Sequence, residues 1–249
     1  MKALPLVLLM ALLSCPVLVV DSAQGAVQLN IGGLYDYLPD QRSSLLKRVR
    51  NGGDSTAFVR VSLAEIVYNA QGQAEEIALE SLPAAERPLV ASPARLIVPA
   101  NGMQAVRLLF RGERDKERYF RLRFIPVVPE VDEGFDVSAA QAKAYEEQIK
   151  AGVSILAGYG SMLFVRPEAT QFVTRIDDQP DHFRVPNGGN STVVLDHFND
   201  CNRDGSECST ATKHHLLPGS ARRFDKTPGR VHRFELIEGE QRRQVELDG

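Results

Sequence analysis

The chain has 249 residues, and its 29 lysines and arginines against 32 aspartates and glutamates give a formal net charge of −3 at pH 7. This balance excludes a generally basic nucleic-acid binder, and the length allows one large or two modest domains. Proline and glycine are scattered between short runs of alternating apolar and polar residues. This pattern indicates an all-β protein.

The N-terminal segment has the form of a secretory signal peptide. Lys2 provides the positive charge, Leu4–Val20 the apolar run and small residues up to Gly25 a cleavage site, so we predict cleavage after Gly25 and export. The run of ~17 residues, near the lower limit for a membrane span, could instead remain as an anchor. Cys15 could also end a lipoprotein box, but the apolar run continues past it. No other such run follows, so we expect no membrane insertion of the mature chain.

The segment up to residue 128 is predicted to form short strands. They are Val27–Leu38, Ser44–Arg50, Thr56–Val67, Arg95–Val98, Met103–Phe110 and Tyr119–Val128. Residues 74–91 are weakly patterned, and we expect an irregular connection there. Strands at this spacing, with turn residues between them, predict a β-sandwich.

One short helix and one long strand are predicted next. Ser138–Lys150 has helical composition, with Ser138 as a plausible N-cap. Ala151–Pro167 is apolar and alternating, and as a strand of ~15 residues it would greatly exceed the typical ~5–6. One phase of the alternation consists of Val153, Ile155, Ala157 and Tyr159. A strand this apolar needs a cover, and our hypothesis is that a second polypeptide provides it.

After Pro167 the pattern indicates a second, smaller β domain. Its predicted strands are Gln171–Ile176, Phe183–Val185, Thr192–His197, Ala221–Asp225 and Val231–Ile237. We therefore expect a signal peptide at 1–25, a first domain at 26–166 and a second at 167–249, with a hinge near Arg166 and Pro167.

Removal of the signal peptide would leave two cysteines, Cys201 and Cys208. An even pair in an exported chain predicts one disulfide. The three histidines nearest to this loop match no zinc-site spacing; they are His197, His214 and His215. The loop also begins like a calcium loop at Asp200, but Ala211 stands where a bidentate glutamate is needed. We expect neither metal.

Two groups of charged residues stand out. Arg107 and Arg166 lie in apolar strands, where an unpaired guanidinium is costly, so we predict a domain-bridging network with Glu117 as the acceptor. The alternative is that these are unconnected surface arginines. A second cluster, Lys47, Arg48 and Arg50, could bind a phosphate or a carboxylate, or could be a solvated strand face.

The sequence contains no pattern typical of an enzyme. There is no Gly-x-Ser-x-Gly elbow, and none of the five histidines lies in a recognisable catalytic context. Gly158-Tyr159-Gly160 lacks the third glycine and the following helix of a nucleotide-binding fingerprint. We expect neither enzymatic activity nor a cofactor.

The chain resembles the periplasmic chaperones of chaperone–usher pili, and within them the alternative class that serves common-pilus and colonisation-factor fimbriae. Matching segments extend over almost the whole mature chain. They are Ala26–Leu29, Pro93–Leu108, Glu117–Pro126, Met162–Pro167, Phe183–Asn187, Cys201–Cys208 and Leu217–Phe224.

The resemblance implies an L-shaped pair of immunoglobulin-like sandwiches in the periplasm. Such chaperones lend their long strand to a pilin subunit that lacks its own last strand, a mode called donor-strand complementation. By matching position, the subunit-binding side chains would be Val153, Ile155, Ala157 and Tyr159, and the interdomain network would be Arg107, Glu117 and Arg166. An outer-membrane usher is the second implied partner, and the free protein could self-associate through the exposed strand.

One feature departs from the better-known class, in which two basic residues anchor the carboxylate of the subunit. The first strand has no lysine or arginine, and Met162 occupies the second position. The remaining candidates for the anchor are Lys47, Arg48 and Arg60. Two other functions stay open: a structural or adhesive β-sandwich component of a fimbria, either subunit or surface lipoprotein, and an exported hydrolase.

Overall fold

The computed structural model describes residues 27–69, 71–131, 134–151 and 156–249. Ten strands precede Pro167: β1 (Leu29–Asn30), β2 (Tyr35–Leu38), β3 (Ser44–Asn51), β4 (Ala57–Tyr68), β5 (Ala74–Ala78), β6 (Leu89–Ser92), β7 (Arg95–Val98), β8 (Met103–Phe110), β9 (Arg118–Pro126) and β10 (Tyr159–Val165). Seven follow it: β11 (Asp177–Asp178), β12 (His182–Pro186), β13 (Val193–Asn202), β14 (Thr212–Leu216), β15 (Ala221–Asp225), β16 (Arg230–Glu238) and β17 (Gln241–Asp248).

The first ten strands form two sheets that enclose one core. One sheet has the order β1-β3-β8-β6, and the other has the order β2-β10-β9-β4-β5, with β7 also paired to β4. Side chains alternate between core and solvent, as in β8, where Val106, Leu108 and Phe110 are buried. The inward side chains of both sheets join in a single apolar cluster, as expected of a sandwich.

The last seven strands form a second pair of sheets around a separate core. Their orders are β11-β12-β15 and β14-β13-β16-β17. Phe183, Leu195 and Phe234 are buried in the middle of this second cluster. The predicted all-β class with two sandwiches is confirmed.

The segment predicted as one strand from Val27 to Leu38 is divided between both sheets of the first sandwich. β1 pairs antiparallel with β3, whereas β2 pairs parallel with β10. Gly32 lies between them at φ +74°, a conformation that glycine adopts without steric cost. Because the chain crosses from one sheet to the other at this point, β2 begins opposite Met162. It therefore does not pair with the first residues of β10.

Three sequence predictions need correction. The supposedly irregular residues 74–91 contain β5 and β6, and β14 and β17 were not predicted. β5 is exposed throughout and β17 nearly so, and an edge strand with no buried face shows no apolar alternation. Conversely, Gln171–Ile176 is not a strand and contributes one bridge, between Thr174 and Asn187.

A helix, α1 (Ala139–Ala151), lies on the outer face of the six-stranded sheet. Ser138 and Gln141 form the predicted cap: the Oγ of Ser138 accepts from the Gln141 amide at 3.3 Å, and the Gln141 side chain accepts from the Ser138 amide at 2.9 Å. Phe58 of β4 receives two edge-on rings, Phe135 at 5.5 Å and Tyr145 at 4.9 Å between centroids. These contacts hold α1 against the sheet.

The strand predicted to begin at Ala151 begins later. Ala151 is the last residue of α1, and β10 starts at Tyr159. Val153 and Ile155 lie outside the described residues, as do the signal peptide and its cleavage site. Within the described part of the chain, no helix combines the length and the apolar character needed to cross a bilayer.

Candidate functional site: an open strand edge at the domain junction

The edge of β10 is only partly covered. On one side, β9 pairs with the whole of β10, from Tyr159 opposite Phe124 to Val165 opposite Arg118. On the other side, β2 pairs only with residues 162–165. Tyr159, Gly160 and Ser161 therefore have no strand partner on that side among the described residues. An open edge offers backbone donors and acceptors to another strand.

The inward phase of β10 continues past the end of the first core. Leu163 and Val165 are buried in that core, and Ser161 is 3% exposed. Tyr159 lies in the same phase but is 38% exposed. Ala157 is also exposed, but it precedes β10, and there Leu156 packs against the first core. A strand added beside β10 would thus meet a row of side chains that extends the core of the first sandwich outward. Of the four predicted subunit-binding residues, Tyr159 lies in this row.

Glu117 joins the two sandwiches. It lies just before β9 with 6% exposure, and its carboxylate accepts hydrogen bonds from the second sandwich: from the Ser191 hydroxyl at 2.7 Å and from the Thr192 amide at 2.9 Å to each oxygen. The Thr192 hydroxyl at 2.5 Å and the Tyr119 hydroxyl at 3.0 Å complete the shell. Five hydrogen bonds compensate for the burial of this carboxylate.

Arg166 follows β10 at the same junction. Its guanidinium lies over Tyr37 of the first sandwich at 5.9 Å and over Phe172 of the second at 5.5 Å. Burial lowers the pKa of Arg166, and the negative charge of Glu117 opposes this shift. The two residues influence each other through this field, although no ion pair joins them directly in the described part of the chain.

Arg107 does not belong to this junction, and the predicted three-residue network is corrected accordingly. Arg107 is exposed in the middle of β8, between the buried Val106 and Leu108, and lies opposite Leu46 of β3. Its side chain is solvated, so the cost of desolvation that motivated the prediction does not arise. An arginine within an apolar strand was a misleading sign of burial, because every second side chain of a strand in a sandwich points to the solvent.

His215 of β14 completes the junction beside β10. Its ring stacks on Phe164 at 5.0 Å with an interplanar angle of 8°, and the Tyr37 hydroxyl lies 2.7 Å from its Nε2. Burial, with the charge of Lys213 adding to it, lowers the pKa of His215 to about 4. Burial also raises the pKa of Tyr37. Both groups are therefore neutral at pH 7, and Tyr37 donates to the imidazole.

The three candidate anchoring bases lie in different places. Lys47 is 4% exposed between the sheets and donates at 2.6 Å to both Asp36 Oδ2 and the Gly33 carbonyl. Asp36 is paired with Leu163, so Lys47 lies close to the open end of β10. Arg48 and Arg60 are exposed on the outer faces of β3 and β4. Only Lys47 of the three lies inside the first sandwich next to β10.

The predicted disulfide between Cys201 and Cys208 is present. The oxygens of the calcium-like loop are occupied by a cation of the chain itself: Arg230 donates to Asp200 Oδ2 at 3.2 Å and to Asn202 Oδ1 at 2.8 Å. The three histidines do not converge, since His215 is bonded to Tyr37 and His197 is exposed.

One group in the described residues has metal-ligand types within reach of each other: Asp196, His197 and Glu235. Both of its carboxylates already have cationic partners. Lys213 lies 2.8 Å from Asp196, and Arg242 lies 2.8 Å from Glu235. A metal ion there would have to displace two ion pairs.

Several residues of this site had no signal in the sequence. Tyr37, Phe164 and Thr192 lie in predicted strands, and Ser191 lies outside them, without any sign of a role at the junction. His215 stands out in the sequence only as one of the histidines near the cysteine loop. Each acquires its role from a partner more than 70 positions away, as in the pairs Ser191–Glu117 and Tyr37–His215. The buried Glu117 had a partial signal, as an acidic residue immediately before an apolar strand.

Comparison with known proteins gives relatives in both sequence and structure. The chain is 25% identical over 217 residues to a probable fimbrial chaperone, EcpB, of Escherichia coli O7:K1, with 84% of this chain and 86% of the relative covered. The E. coli chaperone DraB aligns with a TM-score of 0.53 at 15% identity, covering 90% and 97% of the two chains. A chain from the complex of the Salmonella enterica SafA pilin with the SafB chaperone aligns with a TM-score of 0.51 at 14% identity, covering 89% and 96%. No family model matches.

Proposed function

We propose that this chain, a homologue of fimbrial chaperones with their two-sandwich fold, is a periplasmic chaperone that binds exported pilin subunits and delivers them for fimbrial assembly. The observation that carries the proposal is the open edge of β10, whose inward phase runs past the core to the exposed Tyr159. An incomplete sandwich that pairs with this edge gains backbone hydrogen bonds and a row of apolar side chains. The alternative, a structural or adhesive fimbrial component, is not favoured, since the relatives are chaperones.

The donor-strand part of the proposal assigns subunit binding to Val153, Ile155, Ala157 and Tyr159. Backbone pairing supplies affinity for many subunit sequences, and the alternate side chains set the register, because a slip by one residue would turn them away from the subunit core. We propose that the chaperone then delivers the bound subunit to an outer-membrane usher, which receives the subunit when it is released from β10. Self-association through the same edge would compete with subunit binding.

The proposal also includes the processing of the chain and the anchoring of the subunit. Residues 1–25 would act as a cleaved signal peptide, residues 26–166 would form the first domain and residues 167–249 the second. Among the candidate bases, Lys47 is favoured for a subunit carboxylate. An ammonium group has three N–H donors, and Gly33 and Asp36 take two of those of Lys47.

Co-expression with a cognate pilin subunit tests this function. We expect a soluble one-to-one complex with the unmodified chain, and loss of soluble subunit of at least roughly tenfold with Ile155→Asp or Ala157→Asp, because a buried charge in the subunit groove is costly. The control is Ser154→Asp, which lies in the other phase of the sequence. If Ile155→Asp and Ala157→Asp left the complex intact, the donor-strand mode would be refuted. If the unmodified chain formed no complex, the chaperone function itself would fail.

A further inference from the structure

The outer face of the β1-β3-β8-β6 sheet combines exposed apolar side chains with arginines. Leu46, Met103 and Leu109 are 48%, 45% and 42% exposed. Arg48 and Arg50 of β3 and Arg107 of β8 share this face with them. Across the strands, Leu46 is opposite Arg107 and Met103 is opposite Arg50, so the two chemistries alternate over the surface.

The positive charge of this face is not neutralised. The four strands of the sheet contain no aspartate or glutamate, although acidic residues outnumber basic ones in the whole chain. Among the ion pairs and hydrogen bonds of the described residues, none involves the side chain of Arg48, Arg50 or Arg107. The face is thus an uncompensated basic surface on a molecule of net negative charge.

The other sheet of the same sandwich provides an internal comparison. On its outer face, Arg121 lies 2.6 Å from Glu76, and Arg123 is paired with the same carboxylate. Its large apolar residue Phe58 lies under the rings of Phe135 and Tyr145. The six-stranded sheet also exposes apolar side chains, such as Val67 and Ile97 at 39% and 41%. It differs from the four-stranded sheet in that Arg121 and Arg123 on its outer face are paired with a carboxylate.

We propose that the outer face of the β1-β3-β8-β6 sheet docks a partner protein through a surface that carries carboxylates and apolar side chains. Arginine and methionine are enriched in protein interfaces, while lysine and glutamate are depleted, and this face has that composition. Alternation of arginine with leucine and methionine fits a surface that presents acidic and apolar groups in turn. The basic segments that bind anionic membranes carry clusters of roughly four to eight lysines and arginines, whereas this face carries Arg48, Arg50 and Arg107.

Binding to an immobilised random copolymer of glutamate and tyrosine tests the inference, with polyglutamate and vesicles containing phosphatidylglycerol as parallel probes. We expect the copolymer to bind more tightly than polyglutamate, and its binding to weaken steeply with salt, as the Debye length falls from ~10 Å at 0.1 M to ~3 Å at 1 M. The variant Arg48→Glu/Arg107→Glu should bind the copolymer at least tenfold more weakly. Leu46→Thr/Leu109→Thr should weaken copolymer binding while leaving polyglutamate binding unchanged.

The matched control is Arg184→Glu/Arg243→Glu, which changes the net charge equally at two exposed arginines of the second sandwich. It should bind the copolymer like the unmodified chain, and unchanged thermal unfolding should show that all variants are folded. Equal loss in this control would reduce the effect to net charge and overturn the inference. So would absence of copolymer binding, an intact Arg48→Glu/Arg107→Glu variant, equal binding of polyglutamate, or binding of the vesicles alone.

Discussion

Glu117 is a buried ionisable residue that is held in place by hydrogen-bond donors around its carboxylate. Its carboxylate is buried between the two sandwiches, and the donors that surround it come from Ser191, Thr192 and Tyr119. A buried carboxylate with a full set of donors is stable in place, but removal of its charge or its acceptors leaves those donors unsatisfied. Glu117 therefore makes the junction intolerant of substitution.

We predict that Glu117→Gln destabilises the protein by roughly 2–4 kcal/mol. The amide nitrogen of glutamine would face the Thr192 amide, which donates to both carboxylate oxygens of Glu117. Urea unfolding at pH 7 measures the effect. The matched control is Glu113→Gln in the same loop, where the side chain is exposed and the change should stay within about 0.5 kcal/mol. Equal stability of both variants would contradict the assignment of Glu117 to the junction.

At the scale of elements, the attachment of α1 bears on whether the segment before β10 can bind a subunit. Helix α1 ends at Ala151, and β10 begins at Tyr159, so the helix immediately precedes the segment proposed as the donor strand. The helix is fastened mainly by Tyr145 and Phe135 on Phe58, outside the first core cluster. A unit with few buried contacts opens more easily than the sheets below it.

We predict that Tyr145→Ala releases α1 without unfolding the sandwich, because the lost aromatic packing costs roughly 2–4 kcal/mol locally. Amide hydrogen exchange should accelerate in residues 139–151 and stay unchanged in β4 and β9. Tyr145→Phe is the matched variant. The Tyr145 hydroxyl is buried and has no hydrogen-bond partner in the described part of the chain, so its removal should leave exchange equal or slower. Faster exchange throughout β4 would mean that α1 is part of the core.

At the scale of the whole molecule, the junction joins two cores that are otherwise independent. Glu117 and Arg166 hold one side, and the stack of Phe164, Tyr37 and His215 holds the other next to β10. His215 is held there in its neutral form, with its pKa lowered to about 4 by burial. The attachment of the second sandwich is therefore sensitive to acid.

We predict that acidification weakens this attachment between pH 6.5 and pH 4. In that range an exposed histidine takes up a proton and His215 in the junction does not, so stability falls as the pH falls and is fully present above pH 6.5. His214 and His232 also have lowered pKa values through burial and add to the total loss. The contribution of His215 is the difference between the unmodified chain and His215→Gln, which keeps an acceptor for Tyr37. Between pH 7 and pH 5, we expect the free energy of unfolding to fall by about 1–2 kcal/mol more in the unmodified chain than in His215→Gln.

Urea unfolding at the two pH values measures this difference. His197→Gln serves as the control, because His197 is exposed and does not belong to the stack of Phe164, Tyr37 and His215. A pH dependence that is the same in His215→Gln would show that His215 titrates normally and that the junction is not acid-sensitive through this residue.

The sequence by itself determined the all-β class, the second sandwich, the disulfide and the helix with its Ser138 cap. Each depends on local chemistry: strand alternation, a pair of cysteines in a chain predicted to be exported, and a capping residue. It also predicted a strand before Pro167, of which Tyr159–Val165 forms β10. The exposed edge strands β5 and β17 escaped prediction, since no buried face imposed a pattern on them.

Only the tertiary structure decided which residues meet. It separated Arg107 from Glu117, placed Ser191 and Thr192 around that carboxylate, and brought His215 against Phe164. It also showed that β2 pairs only with residues 162–165 of β10. The reason is that the chain first crosses between the sheets at Gly32, so β2 starts at Tyr35, opposite Met162. Register and burial depend on contacts between distant positions, which spacing along the chain does not encode.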